Sequence, residues 1–292
     1  MAGIRVKFWG VRGSVPVPGT QTAGIGGNTS CVEVRCGDEL LVFDGGTGLR
    51  VLGKSLMLQM PVTVHLFFSH MHWDHIQGFP FFGPAFVPGN TIDLYGGAQV
   101  AGRVESAMVG QMESPSFPVR LEQLPATLRF HDLNAGDVVE LPGGTRVRCA
   151  AGNHPGGVLA YRIEHAGRSV VYMTDHEPHE GKQPAGMLEL ARGADVLIYD
   201  CMYTPEEYQG HKDGVSRVGW GHSTFEIGAA FAKAAKVKEL VLFHHDPDQT
   251  DQDVADKVAR TKALFANSRG AYEGLEIALR PAAAASRADK GP

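Results

Sequence analysis

The segment Ser69-His70-Met71-His72-Trp73-Asp74-His75 places four side chains of metal-binding type within six positions. Successive residues of an extended chain point to opposite sides, so His70, His72 and Asp74 can face one point, and His75 joins them once the chain turns. Imidazole nitrogens and a carboxylate suit Zn²⁺, or Mn²⁺ and Fe²⁺ less selectively, and four donors spread over two faces can serve two ions. A merely polar loop explains the pattern less well. Three histidines and an aspartate directly after an apolar run carry a desolvation cost that a bound cation would offset.

Such a cluster needs a rigid element behind it. The stretch from Pro61 to Ser69 is apolar without strict alternation, which predicts a strand covered on both faces and ending at His70. Short strands are predicted before it at Arg5–Trp9, Val32–Arg35 and Leu40–Phe43. Strands resume at Ile92–Tyr95, Arg146–Ala150, Val158–Ile163 and Ser169–Met173, the last two forming a hairpin around Ala166-Gly167, then at Val196–Tyr199, Leu240–Phe243 and Leu275–Leu279. Helices are predicted near Ala98–Val109, Phe225–Val237 and Asp251–Ala266. Ser223-Thr224-Phe225-Glu226 reads as a capping box with Ser223 as the cap, so that helix starts just past His222. Residues 78–128 read as loop-rich covering material. No long repeat or linker divides the chain: residues 1–280 are expected to form a single domain and 281–292 a disordered tail.

The 292 residues, 43% hydrophobic and 20% charged, suffice for a sizeable core. Twenty-seven Lys+Arg against 32 Asp+Glu give a net charge of −5, which argues against a general polyphosphate-binding surface. Cys31, Cys36, Cys149 and Cys201 lack paired metal-type spacing and are expected as reduced thiols of a cytoplasmic protein. No apolar run approaches the ~18 residues of a membrane span, and the N-terminus lacks the features of a signal peptide, so no membrane association is expected.

His70-x-His72-x-Asp74-His75 resembles the HxHxDH signature of the metallo-β-lactamase superfamily. Gly10-Val11-Arg12-Gly13-Ser14-Val15-Pro16, Gly27-Asn28-Thr29-Ser30-Cys31 and Phe43-Asp44-Gly45-Gly46-Thr47-Gly48 are similar to the opening of its ribonuclease Z and cyclic-nucleotide phosphodiesterase branch. The resemblance covers roughly residues 4–250. It implies an α/β (α+β) chain folded as a four-layer αββα sandwich, with a dinuclear metal site at one edge of its two sheets. By position it implies that His154 joins His70 and His72 on one ion, that His244 joins Asp74 and His75 on the other, and that Asp175 bridges them. His245 is a rival to His244, but neighbouring side chains on an extended segment point oppositely, and the spacing after Leu242-Phe243 selects His244. Two divalent ions are implied, Zn²⁺ first, with Mn²⁺ or Fe²⁺ as alternatives.

Gly221-His222-Ser223-Thr224 resembles the HST motif of the phosphodiesterase branch, and a helix N-terminus beside His222 favours a phosphate. Asp200 matches an acidic position of that branch and would hold the His222 ring charged and oriented. Asp74, His222 and Asp200 are therefore the expected catalytic residues. The implied reaction is attack on phosphorus by a hydroxide held between the ions and oriented by Asp74, while His222 stabilises charge or protonates the leaving oxygen. Asp44 is expected to support a ligand histidine, and Asn28, Thr29 and Ser30 to fix the nearby turn. His176, His179 and His211 are expected as solvated loop histidines. Gly45-Gly46-Thr47-Gly48 lacks the lysine of a phosphate-binding P-loop.

Ribonuclease Z inserts a tRNA-gripping arm, commonly between the third histidine and the bridging aspartate. Here His154 and Asp175 are 21 positions apart and the intervening hairpin uses the space. The expected substrate is therefore a small phosphodiester such as a cyclic nucleotide, with no stable nucleic-acid partner. A homodimer is implied by the resemblance, and Phe79–Phe86 and Met108–Phe117 are candidates for a pocket cover or a subunit contact. Two alternatives stay open. One is a ribonuclease Z-like nuclease or another hydrolase of lactones, thioesters or sulfate esters; the other is a nucleotide-binding regulatory protein with little turnover.

Overall fold

The computed structural model describes residues 2–98, 104–179 and 183–282. A first sheet takes β1 (Ile4–Gly10), β2 (Cys31–Cys36), β3 (Glu39–Phe43), β4 (Thr63–Phe67), β5 (Thr91–Gly97) and β6 (Thr127–Leu133) in chain order. A second takes β7 (Val138–Glu140), β8 (Arg146–Gly152), β9 (Val158–His165), β10 (Arg168–Met173), β11 (Val196–Asp200), β12 (Glu239–Phe243) and β13 (Ser268–Gly270). The final strand, β14 (Glu276–Leu279), returns to the first sheet beside β1. Among the described residues seven α-helices accompany them: α1 (Gly48–Leu56), α2 (Trp73–Ile76), α3 (Val104–Gln111), α4 (Ala185–Ala191), α5 (Pro205–Tyr208), α6 (Phe225–Ala234) and α7 (Asp251–Leu264).

Three apolar clusters define four layers. Between the sheets, Phe8, Phe43 and Phe67 meet Tyr161, Tyr172 and Phe243. The Phe43 ring lies 5.3 Å from Phe67 and 5.7 Å from both Tyr161 and Tyr172. Outside the first sheet, Val42, Val64 and Leu66 pack under Leu49 and Leu52 of α1 and Met108 of α3. Outside the second, Leu197 and Leu242 pack under Met187 of α4 and Phe231 of α6. Each fully buried aliphatic or aromatic side chain contributes about 1.5–3 kcal/mol. The result is the αββα sandwich. β4 runs parallel between β3 and β5 and is covered on both sides, which is why its sequence does not alternate.

The β9–β10 hairpin closes through Ala166 (φ 49°) and Gly167 (φ 73°), two left-handed residues as a type I′ turn requires. The helix after His222 starts where expected but is capped one residue later. Thr224, not Ser223, accepts the N–H of Ile227, because the Ser223 hydroxyl donates to the His176 carbonyl at 2.5 Å. That helix stops at Ala234 rather than Val237, two residues before the left-handed Lys236 (φ 54°). Helix α1 has no counterpart in the sequence reading. β6 begins at the end of the 78–128 stretch read as loop-rich and runs on into residues assigned no element, because an edge strand of half-exposed residues carries a weak apolar signal. The expected helix from Ala98 begins at Val104, residues 99–103 lying outside the described residues. Of the expected tail, 283–292 also lie outside them. All four cysteines are buried and unpaired. Among the described residues no helix is long and apolar enough to cross a membrane.

Candidate metal centre

The C-terminal ends of β3, β4, β10, β11 and β12 share one rim of the sandwich, and polar residues gather where these mostly parallel strands run out. His70 and His72 follow β4, Asp74 and His75 lie on α2, His154 follows β8, Asp175 follows β10, and His244 follows β12. Asp44, Asp175 and His244 turn off their strands through left-handed backbone, with φ of 60°, 49° and 58°. Such conformations cost roughly 1–2 kcal/mol each outside glycine. They persist where surrounding contacts hold them, and they cluster at functional sites.

Two groups of donor atoms match the expected ligands, and a third, of Asp175, Asp200, His222 and His244, overlaps the second. Ring nitrogens of His70, His72 and His154 lie mutually within 4.8 Å, and so do donor atoms of Asp74, His75, Asp175 and His244. His72 Nδ1 is 3.1 Å from His154 Nε2. Asp74 Oδ2 is 3.1 Å from His75 Nε2 and 3.2 Å from His244 Nε2. Asp175 stands between the groups. Its Oδ1 is 3.4 Å from His75 Nε2 and 3.2 Å from His244 Nε2, and its Oδ2 is 3.7 Å from His70 Nε2 and 3.8 Å from His154 Nε2. Tetrahedral Zn–N bonds of 2.0–2.1 Å separate neighbouring donors by about 3.3 Å, so these spacings fit cations between them.

The hydrogen bonds behind the donors point the same way. His75 Nδ1 donates to Asp44 Oδ2 at 2.7 Å, which leaves its Nε2 toward the cluster. The Asp44 carboxylate also accepts from the Ser69 amide and hydroxyl and from Tyr172. With the Ser69 hydroxyl committed to Asp44, its oxygen is left to accept from His70 Nδ1 at 3.0 Å. His70 Nε2 is then a buried lone pair without a hydrogen-bond partner. His154 Nδ1 donates to the Gly221 carbonyl at 2.9 Å. A donor set of aimed imidazole lone pairs and shared carboxylates suits divalent cations.

Charge follows position. Burial lowers the pKa of His70 and of His154. Burial opposes ionisation of Asp74 and Asp175, but His75 and His244 outweigh it and hold both carboxyls well below their usual range. Burial likewise opposes a charge on His75, and Asp74, Asp175 and Asp44 overcome it.

The profile of the family described as "Beta-lactamase superfamily domain" matches residues 41–245. The chain belongs to this superfamily. A protein named ribonuclease Z from Methanosarcina mazei is 28% identical over 326 residues, covering 95% of this chain and 99% of that protein. One of the same name from a Synechococcus species is 27% identical, with the same coverage. Among solved structures, the metallo-β-lactamase fold protein YhfI from Bacillus subtilis superposes with a TM-score of 0.69 at 18% identity, covering 95% of this chain and 99% of that one. A diphosphatase of the PhnP family gives 0.70 at 18% identity, covering 95% and 98%. These likenesses show the metallo-β-lactamase fold, whose centre implies divalent metal ions.

Beside this superfamily's centre, His222 Nδ1 is 3.0 Å from Asp200 Oδ2, and the His222 ring stacks on His244 with centroids 5.1 Å apart. Burial opposes protonation of His222, but Asp200 foremost pushes its pKa up to about 9. His245 points away, with Nε2 3.0 Å from the Ala271 carbonyl. Thr29 fixes the neighbouring turn, its hydroxyl accepting from the Thr47 amide while its own amide donates to Thr47 Oγ1. His179 and His211 are exposed as expected. His176 is not: it is buried, and its Nδ1 accepts from the Asn153 amide at 3.0 Å while Nε2 faces Gln183 at 2.7 Å. It closes the gap between the ends of β8 and β10.

Three supporting features escaped the sequence reading. The Ser14 amide donates to Asp74 Oδ2 at 2.8 Å. Gly13 passes so close to His244 that an added Cβ would lie 2.4 Å from its Cε1. The buried Glu177 carboxylate accepts from Gly219 and Gly221 amides at 2.8 and 2.7 Å and from the Tyr208 hydroxyl. Glu177 thereby fixes the loop that carries both the Gly221 carbonyl and His222. Glu177 and the glycines it holds are 42 and 44 residues apart, so no local sequence signal linked them.

Proposed function

We propose that this protein is a metal-dependent hydrolase of small phosphodiesters, with cyclic nucleotides as the favoured class. The observation that carries the reading is the Asp175 carboxylate, split between two donor groups, with the Asp200–His222 pair against it. Two divalent cations, Zn²⁺ first, would be held by His70, His72 and His154 and by Asp74, His75 and His244, with Asp175 shared. They would supply a nucleophile at neutral pH and neutralise phosphoryl charge.

The chain's own groups do the rest. Asp74, oriented by the Ser14 amide, accepts a hydrogen bond from the attacking water. Asp200 holds His222 at Nδ1, so the proton at Nε2 is available to the leaving oxygen or to a phosphoryl oxygen. The β9–β10 hairpin supports a small substrate, because it takes up the chain between His154 and Asp175. The ribonuclease Z alignment spans 326 residues, more than the 292 present here, so that relative carries segments without a counterpart in this chain.

The test is product analysis with cyclic mononucleotides, cyclic dinucleotides and a tRNA precursor bearing a 3′ trailer, before and after chelation and Zn²⁺ or Mn²⁺ add-back. Turnover of a cyclic nucleotide that chelation abolishes and metal restores is the expected result. Faster removal of the trailer would move the protein to the ribonuclease Z reading, which the relatives' names favour. Ligand-dependent thermal stabilisation without product would move it to the regulatory reading. A homodimer belongs to the same proposal, with exposed Phe81 and Phe86 as candidate contacts and light scattering as its check.

A further inference from the structure

Of the chain's seven tyrosines, Tyr95, Tyr161, Tyr172, Tyr199 and Tyr208 each hydrogen-bond their hydroxyl within the fold, to His65, the Phe68 carbonyl, Asp44, Ser223 and Glu177. Tyr272 is exposed. Tyr203 fits neither pattern. It is only 2% exposed, yet its hydroxyl has no hydrogen-bond partner among the described residues. Nor is that hydroxyl sealed from solvent. A buried phenol ordinarily finds a partner for its O–H, so an unpaired one that reaches the surface awaits an acceptor from outside the fold.

The backbone sets where that hydroxyl lies. Tyr203 is three residues past Asp200, the last residue of β11. Its amide donates to the Ser223 carbonyl at 3.2 Å and its carbonyl accepts from the Phe225 amide at 3.3 Å, so it is strapped to the segment that follows His222. Its ring meets the His222 ring edge-on, with centroids 6.0 Å apart. The Arg217 guanidinium, 5.5 Å from the Tyr203 ring centre, adds a second hold, and Arg217 is itself tied to Asp213 and the Glu207 carbonyl. Burial foremost, then Asp246, Asp200 and Asp175, outweigh Arg217 and raise the pKa of Tyr203. The hydroxyl is thus within reach of the charges of Asp200 and Asp175, and it keeps its proton at neutral pH.

We propose that the Tyr203 hydroxyl donates a hydrogen bond to a non-bridging oxygen of a phosphate or phosphodiester bound at the metal centre, beside His222. The inference rests on the phosphodiesterase reading and adds a substrate-contacting residue to it. Phosphoryl transfer spreads charge over the non-bridging oxygens. A fixed donor aimed at one of them needs no reorganisation as that charge grows.

Tyr203→Phe removes the hydroxyl and keeps both ring contacts, and Tyr161→Phe, whose hydroxyl is bonded inside the core, is the control. Calorimetry measures the binding of inorganic phosphate to the Zn²⁺-loaded proteins and the thermal midpoints of the chelated ones. Turnover of a cyclic nucleotide and of bis(p-nitrophenyl) phosphate is followed in parallel. Wild type should bind phosphate saturably. Tyr203→Phe should weaken that binding, and lower kcat/KM, by about ten- to a hundredfold, as loss of one hydrogen bond to a charged group implies. Its zinc content and thermal midpoint should match wild type, because no protein group loses a partner. Tyr161→Phe should do the reverse, with a lower midpoint and phosphate binding within about twofold of wild type. No saturable binding of phosphate by wild type would overturn the assignment. So would binding by Tyr203→Phe within about twofold of wild type, or an equal loss in Tyr161→Phe. Turnover of neither diester by wild type would instead remove the phosphodiesterase reading, with phosphate binding still deciding the role of Tyr203.

Discussion

The histidine trio and the aspartate-rich quartet are joined by one carboxylate yet are built differently. Asp74, His75, Asp175 and His244 are all buried, and their charges answer one another: two depressed carboxyls, a raised imidazole at His75 and the Asp44 carboxylate behind it. His70, His72 and His154 bring no carboxylate of their own, His72 is exposed, and the groups behind them are a serine hydroxyl and a peptide carbonyl. The quartet can persist as an internal ion network. Each group holds a buried ring nitrogen without a hydrogen-bond partner, but His70 Nε2 faces the donor cluster, where a cation would satisfy it, whereas His244 turns Nε2 to the cluster and leaves Nδ1 outside it. The contrast teaches that one rim can combine a self-compensating anchor with an open, cation-dependent face, and Asp175 couples the two.

Removing that coupling should have the largest effect. Asp175→Ala is expected to lower kcat/KM by roughly a thousandfold or more and to reduce bound metal below two equivalents, measured by turnover and elemental analysis. Full metal content in this variant would break the bridging role. His222→Ala should cost about 10²- to 10⁴-fold in kcat with metal content retained, since its contribution is proton transfer rather than coordination; loss of metal would instead place His222 among the ligands.

The layer behind the donors sharpens the contrast. Asp44→Ala strands the His75, Ser69 and Tyr172 donors and is expected to destabilise the fold by about 3–5 kcal/mol, as loss of one partner of a buried ion pair does. Metal affinity should fall about 10- to 100-fold. Ser69→Ala, behind the trio, should cost only about 1–3 kcal/mol. Urea titration of the chelated proteins compares them, and equal losses would remove the distinction between the two supports.

The last test concerns a buried charge outside this network. Lys257 is buried, its ammonium donating to the Cys201 and Met202 carbonyls and to Gln249, and burial foremost lowers its pKa to about 8. Below pH 8 both folded and unfolded chains carry the proton, so the penalty of burying the charge is fully present. From about pH 8 to 10.5 the unfolded chain binds more protons and stability rises with pH, by at most about 1.4 kcal/mol per unit. Lys257→Met should lack that rise; parallel urea midpoints of variant and wild type at pH 7.5, 9 and 10 would contradict the assignment.

Strand ends were legible in the sequence because each apolar run stops at a polar residue, and the separation of His154 from Asp175 already limited what could lie between them. The turns past those ends were not legible. Strict alternation would put His244 on the Leu242 face, which packs under α6, and the left-handed backbone at His244 breaks that rule. The sequence likewise could not show that Ser14, itself left-handed with φ 60°, aims its amide at Asp74 from 60 residues away. His176 was read as solvated because it sits among loop-forming residues, and only the meeting of β8 with β10 buries it. Helix α1 begins at the last glycine of the Gly45–Gly48 run, to which the sequence reading assigns no element, and its apolar stripe gains meaning only against β3 and β4.

Anomalous scattering at the zinc edge from crystals of the Zn²⁺-loaded protein tests the central claim most directly. Two peaks are expected, one among His70, His72 and His154 and one among Asp74, His75 and His244, with Asp175 touching both. A single peak, or zinc bound away from Asp175, would contradict it.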